Sequence, residues 1–347
     1  MNRPAASLPT RRLGKTGLEA TIIGFGGIPI QLLSEAEAIA TVRRAYEMGV
    51  NFFDTARAYT TSEERIGKAL EGREYIIATK SGAREAEGVY AEVLRSLENL
   101  RRKQIDLYQF HGVNSDEDLE KVLAAGGAME GLRRARREGK IAHIGITGHR
   151  RETLVKAVQI CDEFETVQVP FNIVEEEAAE ALLPLCGRNH VGSIAMKPAG
   201  GGNFSNAPLS IKWTLNQPIS VAIPGMGNLA EAEEDVAIGL GEVRLTAAER
   251  AACEEMKSEL GPRICRRCGY CEPCPNGVQI FLILNGRPIM KRMGVERYLS
   301  WGAKEAIPVA RECQECGVCI TKCPYNLPIP ELLREALAYY ETLPELR

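Results

Sequence analysis

Eight of the eleven cysteines fall in two short runs, "CRRCGYCEPCP" at 265–275 and "CQECGVCITKCP" at 313–324. The first spaces Cys265, Cys268, Cys271 and Cys274 as C-x2-C-x2-C-x2-C-P. The second spaces Cys313, Cys316, Cys319 and Cys323 as C-x2-C-x2-C-x3-C-P. In a reducing compartment such clusters are metal ligands rather than disulfides. Four thiolates suit zinc or an iron–sulfur cluster. Two zinc sites would want two ligand pairs each, with a knuckle between them. Triple C-x2-C-x2-C runs ending in C-P favour two [4Fe-4S] clusters instead. Cys161, Cys186 and Cys253 have no partner spacing and read as small buried hydrophobes.

A second set of reactive types is more dispersed: Asp54, Tyr59, Lys80 and His111. A tyrosine needs a nearby cation to bring its pKa down from about 10 before it can exchange protons near neutrality. Lys80 can supply that cation, and Asp54 can pair with Lys80 so that no buried charge is left alone. His111 can orient or polarise a substrate oxygen. Singly, each has a plain reading as a rim or packing residue. Together they require a scaffold that presents successive strand ends to one place.

The elements supply such a scaffold. Apolar, strand-like runs at 21–27, 51–56, 75–80, 105–112, 141–149, 166–172, 191–198 and 219–226 alternate with helix-like runs. The helices are expected at 35–49, 62–72, 89–100, a long stretch to about 138, 151–162, 175–189, 209–217 and 229–240. Continuous apolar strands are buried on both faces. Eight such pairs fit an α/β fold of the (β/α)8 TIM barrel type, with chemistry at the C-terminal strand ends. Those ends carry Asp54, Lys80 and His111, with Tyr59 just beyond the second. An open doubly wound sheet is the alternative, but "GFGG" at 24–27 lacks the G-x-G-x-x-G turn such a sheet would want. The expected domains are a barrel at 1–260 and a small two-cluster module at 261–347. Residues 275–312 are expected to form two short helices carrying Tyr298 and Trp301.

Composition limits the partners. A net charge of −3 gives no reason to expect nucleic acid or an acidic membrane surface. No apolar stretch approaches the roughly 20 residues of a membrane span. The start, "MNRPAASLPTRRLG", has no long apolar region after its charges, so no secretory leader is expected and a cytoplasmic protein is.

From "RRLGKTGLEATIIGFGG" to about residue 245 the sequence resembles the aldo-keto reductase family. The likeness runs through "NFFDTARAY", "SEERIGKALEGREYIIATK", "DLYQFHGV", "IGITGH", "VQVPFN" and "SVAIPGM". It implies that Tyr59 is the general acid and base, tuned by Lys80 and Asp54, and that His111 helps to bind the substrate oxygen. It also implies a nicotinamide cofactor lying across the barrel mouth. Gln168 matches a residue that bonds the carboxamide. The family's Ser-Asn is here Thr147-Gly148-His149, where Thr147 keeps the hydroxyl and His149 is a loop histidine or a carboxamide contact. Met196 or Lys197 stands where an aromatic side chain stacks on the nicotinamide. Gly200, Gly201 and Gly202 would let backbone amides approach the pyrophosphate. Further contacts are expected at Gly27, Ile223, Gly225, Met226, Gly227, Glu234 and Asp235. The stretch 223–243 has no basic residue and carries Glu231, Glu233, Glu234, Asp235 and Glu242. A 2′-phosphate gains nothing there, so NADH is favoured over NADPH, unless another segment supplies the cation or the native donor is different.

The C-terminal region resembles the dicluster module attached to one branch of that family. The second run matches the bacterial ferredoxin pattern, and the first is one residue short of it. "CGYCEPCPNGVQI" and "CGVCITKCPYNLPI" resemble the internal repeat of two-cluster ferredoxins. That likeness implies crossed ligands: Cys265, Cys268, Cys271 and Cys323 on one cluster, Cys313, Cys316, Cys319 and Cys274 on the other. The expectation is an oxidoreductase interconverting a small carbonyl compound and an alcohol, its clusters relaying electrons to or from ferredoxin or another carrier. Hydride moves two electrons together and each cluster takes one, and no flavin motif bridges them. Two alternatives therefore stand: structural or oxygen-sensing clusters on an ordinary reductase, and a non-enzymatic electron-transfer protein on a repurposed barrel.

Overall fold

A computed structural model describes residues 7–346. The first residues of the stretch read for a leader lie outside the described residues. The chain divides into two compact units, Met1–Glu249 and Arg250–Arg347.

The first unit opens with an antiparallel hairpin of β1 (Thr10–Arg12) and β2 (Glu19–Thr21). Eight parallel strands follow: β3 (Phe25–Gly26), β4 (Phe52–Asp54), β5 (Ile76–Ser81), β6 (Ile105–Phe110), β7 (Ile141–Thr147), β8 (Thr166–Pro170), β9 (Gly192–Met196) and β10 (Val221–Ile223). They hydrogen-bond in chain order. The sheet's two ends meet through parallel bridges at Ile23–Ala222 and Gly26–Gly225. This is the expected barrel, nearly closed, with bridges in place of a full ladder at the seam. The cause is local: the seam is rich in glycine, and a Cβ on Gly26 would lie 2.5 Å from the Pro224 carbonyl oxygen. The strands expected at 21–27 and 219–226 shorten accordingly.

Side chains alternate across the barrel wall with the period of two that a strand imposes. Phe52, Ala78, Leu107, Ile194, Val221 and Ile223 fill the interior. Their neighbours Phe53, Ile77, Tyr108, Ala195 and Ala222 face outward and pack with helix residues such as Ala38, Val42, Ile66, Val89 and Leu132. Leu13 and Ala20 of the hairpin join the interior cluster, so the hairpin plugs the N-terminal end of the barrel. Gly14 makes that plug possible: its φ is +57°, and a Cβ there would collide with the backbone of Gly192.

The outer helices follow the expected order with two departures. The long stretch before 138 is two helices, Asp116–Leu123 and Ala128–Arg137, separated at Gly126, whose φ of +73° no helix continues. The helix expected at 175–189 is a 3-10 turn, Glu177–Ala179, and a short helix, Leu182–Arg188. There the Asn172 side-chain oxygen accepts from the amides of Val174 and Glu175, both at 2.9 Å, and holds the chain in a turn.

The described residues of the second unit are helical and irregular, without strands. The two helices expected within 275–312 are four, Ile280–Leu284, Gly286–Met293, Val295–Tyr298 and Lys304–Arg311. Gly294 and Gly302, with φ of +85° and +90°, mark two of the breaks. Most of helix Ala247–Leu260, together with Val318–Lys322, Ile329–Tyr340 and the 3-10 turn Pro344–Leu346, completes the unit. Its core joins Leu282, Ile283, Ile307, Leu332 and Leu333 to the buried Tyr298 and Tyr340. The two phenols bond each other at 3.1 Å and also reach the carbonyls of Leu282 and Ile283, so neither phenol is left unpaired. Among the described residues no helix is long and apolar enough to cross a membrane.

Candidate active site and cluster cavities

Asp54 ends β4, Lys80 lies near the end of β5, and His111 directly follows β6. Parallel pairing puts these three ends side by side. Tyr59 is in the turn after β4, where its amide donates to the Ala56 carbonyl at 3.0 Å and its own carbonyl accepts from Ser62 N at 2.8 Å. Lys80 Nζ is 2.7 Å from Asp54 Oδ1 and 2.6 Å from the Thr55 carbonyl oxygen. The same nitrogen lies 5.0 Å from the centroid of the Tyr59 ring. The His111 ring stands edge-on to Tyr59, with centroids 5.7 Å apart and planes at 88°. The four expected residues thus form one cluster.

The charges of the cluster follow from its burial. Asp54 and Lys80 are 3% and 1% exposed. Burial by itself lowers the lysine pKa, but Asp54 and then Tyr59 outweigh it, and Lys80 ends above its ordinary value. Burial also raises the Asp54 carboxyl, and Lys80 is the largest effect opposing it. His111 has no such carboxylate. Burial, and then the charges of Lys80, Arg84 and Lys197, lower it to about 3, so its imidazole is neutral at neutral pH.

Side chains that the sequence did not single out hold this cluster. Glu63 is buried and accepts from Thr79 Oγ1 at 2.7 Å, Ser96 Oγ at 2.8 Å and Asn99 Nδ2 at 3.0 Å, and it pairs with Arg57. Arg57 is two residues before Tyr59, and its amide donates to the Lys80 carbonyl at 2.9 Å. Glu63 therefore anchors the turn that carries the phenol. An acid in the first turn of a helix is usually a surface dipole partner, so nothing in the sequence marked it as buried. Arg84 grips Asp118 with two bonds, at 2.7 and 2.9 Å, and donates to the His111 carbonyl at 2.9 Å.

The residues expected to contact nicotinamide lie mainly on this same face, after β3, β7, β9 and β10. Thr147 Oγ1 accepts from Gly112 N at 2.9 Å. Lys197 Nζ lies 2.9 Å from His149 Nε2, and an ammonium can only donate, so this imidazole nitrogen is the acceptor. Gln168 is turned into the barrel, where Oε1 accepts from Gln109 Nε2 at 3.0 Å. Ile223, Met226 and Asp235 also have buried side chains, whereas Glu234 is exposed. Met196 ends β9 half-buried against the interior cluster. Gly200, Gly201 and Gly202 have φ of +61°, +72° and +88°, as a backbone-lined loop requires, but the Gly200 amide is spent on the Lys197 carbonyl at 2.9 Å. Gly27 N donates to the Asp54 carbonyl at 2.8 Å, and Gly225 forms the seam bridge to Gly26. Glu231 accepts from Gly227 N at 2.8 Å, and Glu233 pairs with Arg44 at 2.7 Å.

In the second unit, Cys265, Cys268, Cys271 and Cys323 line one cavity, with Phe281, Leu284 and Tyr325 around them. Cys274, Cys313, Cys316 and Cys319 line another, beside Val278, Ile280 and Leu333. Each run lends its fourth cysteine to the other's cavity. Among the described residues no three His, Cys, Asp or Glu side chains converge as ligands of one metal ion. Zinc would need its thiolates about 2.3 Å from a single point. Four thiols spread around a cavity suit a multi-iron cube, in which each binds a different iron. Cys186 and Cys253 are buried and Cys161 half-buried, and none of them lines either cavity.

The model of the Aldo/keto reductase family matches residues 22–209, and that of a 4Fe-4S dicluster domain matches residues 264–328. L-galactose dehydrogenase of Arabidopsis thaliana is 27% identical over 305 residues, which cover 73% of this chain and 94% of that protein. Probable aldo-keto reductase 1 of Glycine max is 30% identical over 221 residues, 57% of this chain and 62% of that one. Among solved structures, the holo form of a Bacillus halodurans aldo-keto reductase superposes with a TM-score of 0.62 at 22% identity, over 72% of this chain and 96% of that one. An aldo-keto reductase of Klebsiella pneumoniae in complex with NADPH gives 0.62 at 20% identity, over 72% and 95%. At such identities the structural likeness is one of fold.

Proposed function

Because the chain belongs to the aldo/keto reductase family and carries a C-terminal 4Fe-4S dicluster domain, it is an aldo-keto reductase-like oxidoreductase, and we propose that it interconverts a small carbonyl compound and its alcohol using a nicotinamide cofactor. The observation that carries this reading is the grouping of Tyr59, Lys80, Asp54 and His111 at neighbouring strand ends.

A nicotinamide, when bound, supplies or takes up the hydride at the carbonyl carbon. In reduction the Tyr59 hydroxyl gives its proton to the substrate oxygen, so the developing alkoxide never stands alone. The Lys80 ammonium favours the phenolate left behind, which eases that transfer. Asp54 keeps Lys80 charged and in place. Neutral His111 does not compete as an acid near pH 7; it offers an N–H to the same oxygen and fixes its position. In oxidation the proton runs the other way, from alcohol to Tyr59 phenolate.

The cofactor we favour is NADH. Helix Leu229–Leu240 and the loop before it, from Pro224, contain no lysine or arginine, and Glu231 already occupies the Gly227 amide. A 2′-phosphate there would meet carboxylates. We assign residues 1–260 to the carbonyl chemistry and 261–347 to the clusters. Four thiols around each of two cavities support [4Fe-4S] clusters as their occupants. Clusters supply one-electron chemistry, and we read the pair as a relay to an external carrier such as ferredoxin.

Tyr59→Phe tests the carbonyl reading. It removes only the proton donor, so reduction should fall by about 10²–10⁴-fold while nicotinamide binding is retained. Unchanged turnover would mean that the phenol plays no chemical part.

A further inference from the structure

A cleft of about 670 Å³ opens at the N-terminal end of the barrel, lined by the hairpin and by the segments entering β9 and β10. The four-residue cluster lies at the opposite, C-terminal strand ends. Arg11, Arg12, Lys15 and His190 line the cleft together with Ser193 and Ser220. Leu183, Cys186 and Val191 give it an apolar wall.

Arg57, Arg84, Arg133 and Arg136 each pair with a carboxylate. The cations of the cleft do not. Arg11 donates to two carbonyl oxygens, of Ile219 at 2.8 Å and Leu215 at 2.7 Å. Lys15 donates to the Asp162 carbonyl oxygen. Among the described residues none of Arg11, Arg12 and Lys15 makes an ion pair; Glu19 faces Arg12 across the hairpin but does not bridge to it. Carbonyl partners hold the first and third of these side chains in place without neutralising them. Burial lowers the Arg11 pKa. Ser193 Oγ and Ser220 Oγ accept from each other's backbone amides at 3.1 and 3.3 Å, which leaves both hydroxyl protons for another acceptor.

We propose that this cleft binds a small organic phosphate. Three cations without an ion pair and two hydroxyl donors match a dianion with several acceptor oxygens. The apolar wall and the volume, within the ~300–1,000 Å³ usual for small-ligand sites, leave room for the organic body. Such a ligand would occupy a site separate from the nicotinamide site.

The test uses the full-length, cluster-loaded protein under anaerobic conditions with saturating NADH. Adenosine 5′-monophosphate, inorganic phosphate and citrate are titrated by calorimetry at constant ionic strength. Saturable binding of adenosine 5′-monophosphate is expected, with inorganic phosphate weaker. Arg12→Ala and Lys15→Ala should each weaken it by about tenfold or more, while Lys103→Ala, on an exposed loop elsewhere, should not. All three variants should keep wild-type carbonyl reduction and circular dichroism. Among the described residues Arg12 makes no side-chain hydrogen bond, so Arg12→Ala carries the test alone if Lys15→Ala loosens the hairpin. The proposal is overturned by any of four results: no saturable phosphate binding, binding abolished by NADH, affinity unchanged in Arg12→Ala, or citrate bound more tightly than either phosphate.

Discussion

A lysine only 1% exposed would ordinarily surrender its proton, and Lys80 keeps it because Asp54 is 2.7 Å away. Removing either partner would strand a buried charge, at a cost of about 3–5 kcal/mol. His111 goes the other way, because burial and then the charges of Lys80, Arg84 and Lys197 all lower its pKa. The sign of its effect on stability follows. With a folded pKa lowered to about 3, the unfolded chain binds the proton more tightly. The neutral imidazole's contribution is therefore complete above about pH 6.5 and is lost progressively as pH falls from there toward 3. The same shift predicts that His111 sets no limb of the activity profile near neutrality. In kcat/KM measured from pH 5 to 8, wild type and His111→Gln should share one profile shape, with the variant uniformly slower. A limb near pH 6.5 that disappears in His111→Gln would show that the imidazole does titrate in that range.

Elements decide what these residues can reach. The strands β4, β5 and β6 pair in parallel, so consecutive C-terminal ends deliver Asp54, Lys80 and His111 to one face without any long loop. Helix Ser62–Ala69 contributes through Glu63, which ties the Tyr59 turn to β5 and to helix Ala86–Leu100. We propose that helix Leu229–Leu240 sets the choice between cofactors. With Glu231 on the Gly227 amide and Glu233 engaged by Arg44, NADH should bind at least as tightly as NADPH in a fluorescence titration. Strong NADPH preference would require a cation from elsewhere in the chain. The cysteine runs make a sharper forecast. If ligands are crossed, Cys271→Ser with Cys274→Ser damages both cavities although the residues share a run. Cys274→Ser with Cys319→Ser damages only one, although they belong to different runs. Of about eight irons expected in the anaerobic protein, the first pair should lose nearly all and the second about four. The reverse pattern would establish uncrossed ligation.

At the scale of the whole molecule, two units with different electron chemistry share one chain. A hydride moves two electrons together, whereas each cluster takes one. A module that served only to pin the chain would need one metal site, not two. Cys316 is exposed, so the second cavity has a thiol at the surface, where an external carrier can come close. Cys319→Ser should therefore abolish electron exchange with ferredoxin or a viologen while NADH-dependent carbonyl reduction survives. If the clusters of the wild-type protein stay oxidised with every donor, a low-potential ferredoxin included, the relay is wrong and a structural role takes its place.

Spacing along the chain was enough for much of this. Alternating apolar runs announced a barrel because burial on both faces of a strand leaves a local mark. The reactive types fell at strand ends, and the eight cysteines could be counted. Even two of the breaks within 275–312 could have been foreseen, from Gly294 and Gly302. Tertiary structure decided what depends on residues far apart in sequence. Packing turned Gln168 inward onto Gln109, set Lys197 against His149, and buried Glu63 among four partners. It brought Cys323 beside Cys265, a juxtaposition that a likeness to ferredoxins implied but spacing alone could not. It also gathered Arg11, Arg12, Lys15 and His190 around one cleft whose lining holds no carboxylate. A one-dimensional pattern records which face of an element is apolar. It does not record which polar groups meet when those faces are packed, and burial and charge, which set every pKa here, exist only after that packing.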